Sequence, residues 1–199
     1  MRGFVLGVIV AVIAIFGGSF LYMKLGLFDV SAIPDPGKME RHMAFMSLDA
    51  SVERRAPKGS NPVALTDDVL IDAAKEYEEH CSMCHGSQNK NAMNFGKKLS
   101  PRAPNLIRHS MDDPDGQIYW VIQNGIRMSG MPAWSGHFSE NTTWGLVHLL
   151  KNVDKLSPAV TTAWQQAAED HEHVMPPGSQ PAPPTHAADH KQEGHEHKH

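Results

Sequence analysis

Cysteine is nearly absent from this chain: 199 residues carry two thiols, Cys81 and Cys84. That is too few for the disulfide framework that staples small secreted domains together. Positive charge is not in excess either. Eighteen Lys and Arg face 22 Asp and Glu, for a formal net charge of -4 and a pI near 6.3. A nucleic-acid binder needs a basic field to neutralise phosphates, so nucleic acid is not an expected partner. No stretch alternates apolar and polar residues as a half-buried strand does, and no segment repeats itself. The fold class expected from these absences is all-α.

Charge is missing altogether from Gly3 to Met23, GFVLGVIVAVIAIFGGSFLYM. As a helix rising about 1.5 Å per residue, such a run is long enough to span a bilayer core. A cleaved signal peptide would have a shorter apolar region and a small-x-small processing site after it, whereas Lys24-Leu25-Gly26-Leu27-Phe28 offers a poor one. Residues 1–28 are therefore expected to form an uncleaved transmembrane anchor. Arg2 and Lys24 are too few and too balanced to orient it.

Behind the anchor, residues 29–65 are interrupted by Pro34, Pro36, Gly37, Pro57, Gly59 and Pro62 and read as a linker. Lys38 to Arg55 is the exception, a helical stretch in which Met39, Met43, Phe45 and Met46 fall near helical spacing; it suits a linker helix, or an amphipathic one lying on the membrane or on the domain. A compact domain is expected over 66–157. Thr66 is placed to cap a helix whose first turn holds Asp67 and Asp68, and Val69, Ala73 and Tyr77 give it an apolar face leading into Cys81. A short buried helix is expected from about Asp113 to Gly125. A second strong one should run from Glu140 to Asn152, capped by Ser139 and packed on the first. Ser157-Pro158 opens a last short helix over 158–170.

The chemistry concentrates in Cys81-Ser82-Met83-Cys84-His85. C-x-x-C-H is the attachment sequence of haem c: each thiol adds across a porphyrin vinyl group and the adjacent imidazole is set beneath the iron. Two rival chemistries use the same residues. A dithiol redox pair would sit at the start of a helix in a βαβ setting, but here a helix leads into the motif and no strands are evident. A zinc site could recruit Cys81, Cys84, His85 and His80, yet structural zinc sites draw on two separated ligand pairs. Haem is the reading that remains.

Haem iron suited to electron transfer takes a thioether as its second axial ligand. Met93, Met111, Met128 and Met131 are the candidates, and His109, His137 and His148 the alternatives. Met131 is favoured, because Gly130 permits close backbone approach and Pro132 fixes the loop's exit.

Cys81-Ser82-Met83-Cys84-His85, Pro104-Asn105-Leu106, Ile118 through Gly125 and Gly130-Met131-Pro132-Ala133-Trp134 together resemble the class I c-type cytochromes of bacteria, in their single-haem, membrane-anchored form. The resemblance spans roughly residues 66–156. It implies a cytochrome c fold in which the first and last domain helices cross beside one covalently bound haem, with His85 and Met131 as axial ligands. It further implies that the Pro104 carbonyl accepts the His85 ring N–H, and that Trp120 and Trp134 line the pocket. Haem is attached to such proteins after export, so the domain is expected in the periplasm, on a single-pass anchor in the bacterial inner membrane. The implied activity is one-electron carriage between redox proteins at the membrane, with no bond chemistry on a small-molecule substrate. Alternatives are a haem c subunit of a larger respiratory or dehydrogenase complex, and a metal-handling protein.

The last reading draws on residues 171–199. This stretch holds seven of the 13 histidines with five prolines and almost no apolar side chains. Such a composition is expected to be disordered and to offer imidazoles to copper, nickel or zinc.

Overall fold

The computed structural model describes residues 1–33, 36–88 and 95–174. Among these the regular elements are helices: α1 (Arg2–Lys24), α2 (Lys38–Arg55), α3 (Asp67–His80), α4 (Ser82–His85), α5 (Asp115–Asn124), α6 (Glu140–Lys151) and α7 (Pro158–Val174). Short 3-10 turns occupy Phe95–Lys98 and Val153–Lys155. The only extended pairing among the described residues is an isolated bridge between Ser135 and Phe138.

The helix starts are local chemistry. The Thr66 hydroxyl accepts the Val69 N–H at 3.3 Å, the Ser139 hydroxyl that of Thr142 at 3.1 Å, and the Ser157 hydroxyl that of Val160 at 3.3 Å. Each supplies an acceptor to an amide that has no partner inside its helix. α5 has no side-chain cap. It begins after Pro114 and ends at Gly125, whose φ of +64° suits glycine.

The core lies between α3, α5, α6 and α7. Leu70, Ala73, Ala74 and Tyr77 of α3 meet Trp144, Leu146, Val147, Leu149 and Leu150 of α6, and Ile118 and Ile122 of α5 join them. Gly145 lets α6 close on α3, because a Cβ there would stand 3.4 Å from Val69 and 3.6 Å from Ala73. Val160, Trp164 and Ala168 line the buried face of α7 at a spacing of four. This helix runs beside α3 in the same sense. The Ser157 hydroxyl reaches Asp67 at 2.8 Å near both starts, and the Trp164 ring meets the Tyr77 ring edge-on further along, with centroids 5.4 Å apart. α7 continues to Val174, into the stretch read as tail; the rest of that stretch, from 175, lies outside the described residues.

The segment expected to be a linker is packed at its C-terminal end. Val52 and Ala56 are buried, and α2 lies against α5. Gly116 opens α5 without a side chain where the Pro57 carbonyl passes. The Asn61 amide nitrogen donates to Asp115 at 3.1 Å, its side chain donates to the Trp144 carbonyl at 2.8 Å, and the Val63 carbonyl accepts from His148 at 2.7 Å. Met39, Met43, Phe45 and Met46 are exposed. α1 has no buried residue, and it is the one described helix long and apolar enough to cross a membrane, a property it shares with signal sequences.

Two stability predictions follow from this packing. Trp164→Ala should cost about 3–5 kcal/mol, the range for truncating a buried aromatic, and Trp164→Phe about 1.5–3 kcal/mol for the lost bond to a carboxylate; denaturant unfolding measures both. Lys151 sits 2.8 Å from Asp115 and, as the main cause, holds its carboxyl below the usual value. In a double-mutant cycle the pair should contribute about 0.3–1 kcal/mol. That contribution should be whole at neutral pH and disappear as pH falls through the depressed Asp115 pKa.

Candidate haem site

The thiols and the imidazole sit on a single turn. α3 ends at Cys81, whose N–H still bonds the Tyr77 carbonyl at 2.8 Å, and the Cys81 carbonyl then receives the N–H groups of Cys84 at 3.1 Å and His85 at 2.9 Å. α4 is that turn. Gly86 ends it at φ +96°, a conformation L side chains rarely adopt, and its carbonyl accepts the buried Tyr77 hydroxyl at 2.9 Å.

His85 is held from the following loop. Its Nδ1 lies 2.8 Å from the Pro104 carbonyl oxygen. A carbonyl can only accept, so Nδ1 carries the proton and Nε2 presents a bare lone pair, the form in which imidazole binds a metal. Burial lowers the His85 pKa, with the Pro104 bond acting in the opposite direction, and this too favours the neutral ring. The Leu106 N–H caps the His85 carbonyl at 3.1 Å. Gly96, on the same loop, passes so close to the motif that a Cβ there would meet the Cys84 carbonyl oxygen at 1.9 Å.

Neither cysteine is in a disulfide. The Cys81 thiol is pushed up to about 12, chiefly by burial and then by the charges of Cys84, Glu76 and Glu78; burial raises Cys84 as well. A reactive dithiol redox centre requires the opposite shift. The residues fit a haem: two protonated thiols on one turn and a neutral imidazole beside them with its Nε2 free.

The methionine candidates separate clearly. Met131 is partly buried in a loop closed on itself by the Ile126 N–H on the Met131 carbonyl at 3.1 Å, and the Ser129 hydroxyl both accepts from the Met131 N–H and donates to the Ile126 carbonyl. Gly130, beside it, has no room for a Cβ because Leu99 is 2.5 Å from that position. Through Leu99 the Met131 loop touches the segment that carries Gly96 against Cys84. Met128 is 92% exposed at φ +59°. Met111 packs against the core and its N–H bonds the Leu150 carbonyl. Met93 lies outside the described residues.

Among the histidines, His109 is exposed, His148 is bonded to Val63, and His137 faces His80. Trp134 is partly buried and stacks on Phe138 at 5.0 Å, and Trp120 is partly buried on α5. Trp134 is held by aromatic packing, and the Trp120 main-chain carbonyl accepts from the Asn124 side-chain amide at 2.9 Å.

Glu78 and its partners carry no sequence signature. The Glu78 carboxylate is 2% exposed and accepts three bonds: from Trp164 Nε1 at 2.6 Å, from the Ser87 hydroxyl at 2.6 Å, and from the Gln88 N–H at 3.2 Å. It ties the chain just beyond His85 to α7. A glutamate in the charged run Lys75, Glu76, Glu78, Glu79 looks like any solvated helix position until Trp164 is in place.

An all-helical domain built on C-x-x-C-H, with its histidine fixed by a following proline carbonyl, is a c-type cytochrome domain, and the family comparison agrees. Residues 70–150 match the family described as cytochrome C oxidase, cbb3-type, subunit III. The match covers less than half of the chain and stops before α7. No curated protein matches the sequence.

Gly96→Ala should reduce covalent haem incorporation severely, because the new methyl group meets main chain rather than a flexible side chain. Gly37→Ala, in open space, should leave it unchanged. Haem staining of denatured protein from matched expressions reads both.

Proposed function

We propose that this chain is a membrane-tethered, extracytoplasmic carrier of single electrons. Cys81 and Cys84 would hold the porphyrin through thioether bonds, and His85 Nε2 and Met131 would hold its iron. Bound haem supplies the ferrous/ferric couple. The chain's own part is to hold the ligands and exclude water. Pro104 fixes the His85 tautomer, Tyr77 clamps the end of the attachment turn, and Glu78 secures the residues after it. Trp120 and Trp134 complete the pocket wall.

The observation that carries the reading is the His85–Pro104 bond at 2.8 Å, which leaves one imidazole nitrogen available within a C-x-x-C-H turn. The exposed, apolar α1 supports tethering in the inner membrane, and attachment of haem after export supports a periplasmic domain. A tether confines diffusion to the membrane plane, where a quinol-oxidising complex, a dehydrogenase or a terminal oxidase would be donor or acceptor.

The description of the matched family favours a second reading, in which the chain is a haem c subunit held permanently in a larger redox complex. Mild solubilisation distinguishes the two: a carrier elutes alone, and a subunit elutes with stoichiometric partners.

The axial assignment is tested by absorption spectroscopy of the haem-loaded protein. The weak long-wavelength sulfur-to-iron band of the ferric form should be present in the parent, absent from Met131→Ala, and retained in Met128→Ala. A band that survives Met131→Ala would overturn Met131 as the ligand.

A further inference from the structure

A second cluster of metal-ligating side chains lies one residue before the attachment motif. His80 closes α3, and its Nδ1 is 3.2 Å from the Glu76 carbonyl oxygen and 3.4 Å from the Glu76 carboxylate. Both neighbours can only accept, so Nδ1 bears the proton and Nε2 presents its lone pair. Nε2 of His80 lies 3.0 Å from Nε2 of His137, which comes from the loop before α6. Glu79 adds a carboxylate oxygen 4.0 Å from His80 Nε2, and the acidic pair Glu76 and Glu79 groups with His80 within coordinating reach.

We propose that His80 Nε2, His137 Nε2 and Glu79 form a binding site for a divalent transition-metal ion of the zinc or copper class. Two nitrogens each about 2.0 Å from one ion stand roughly 3 Å apart, as these do. Imidazole with carboxylate is the donor set such ions prefer. The carboxylate and carbonyl behind His80 are the outer partners that fix a ligating ring's tautomer. Ring contacts restrain the imidazole further: His80 meets Trp134 edge-on at 5.4 Å and Phe138 at 5.2 Å. His137 is exposed, so an ion and a completing water have access. The site is separate from the haem ligands and does not depend on the domain carrying electrons.

Zinc is the probe, because it has no redox chemistry with the haem. Isothermal titration of Zn²⁺ into the full-length, haem-loaded protein is compared with His137→Ala, Glu76→Gln and His109→Ala. The histidines after Val174 are present in all four and cancel in the differences. His137→Ala should lose one zinc equivalent with its haem spectrum unchanged, Glu76→Gln should bind that equivalent about 10-fold more weakly, and His109→Ala should match the parent. Equal stoichiometry and affinity in the parent and His137→Ala would make the two rings a plain hydrogen-bonded imidazole pair and overturn the site. Loss of the same equivalent in His109→Ala would overturn it as well.

Discussion

Taking a carboxylate out of water costs several kcal/mol unless hydrogen bonds replace the hydration it gives up. Glu78 meets that condition with three donors drawn from two separate parts of the chain: Ser87 and Gln88 just beyond the C-x-x-C-H turn, and Trp164 on the last described helix. None of the three is dispensable to the others, since removing one leaves a buried acceptor short of a partner. The turn with the reactive side chains, the helix that leads into it and the helix that closes the domain are thereby fixed to one another. Tyr77, the preceding residue, repeats the pattern from the other side, bonding Gly86 through its hydroxyl and meeting Trp164 through its ring.

The helices and the attachment turn were legible because their causes are local. Thr66, Ser139 and Ser157 announce helix starts by the amides they cap, and apolar residues spaced by three and four announce the buried faces. C-x-x-C-H is chemistry within five residues. The Glu78–Trp164 bond was not legible, because it joins residues 86 positions apart and neither sequence neighbourhood signals the other. The packed role of the expected linker was hidden for the same reason. Nothing near Pro57 or Asn61 shows that Gly116 and Asp115 receive them. The expectation for Pro104 agrees with the structure, yet it came from resemblance; a proline carbonyl nineteen residues from a histidine is invisible to spacing alone.

These long-range bonds also redraw the structural unit. The family match ends at residue 150, but the buried surface of α3 is shared between α6 and α7, and Val52 and Ala56 reach the domain from before its expected start. A fragment cut at the limits of the match would expose the face of α3 that Trp164 covers and leave Glu78 with one donor fewer.

The shared direction of α3 and α7 sets where the chain leaves the domain. Both helices start together at Asp67 and Ser157, and Trp164 is level with Tyr77 and Glu78. Ten further residues at about 1.5 Å each carry α7 to Val174, well past the level of Cys81. Whatever follows Val174 therefore departs from the end of the domain that bears the attachment turn. A C-terminal extension, whether the histidine-rich one or a fused reporter, is rooted at the same end of the domain as Cys81, Cys84 and His85.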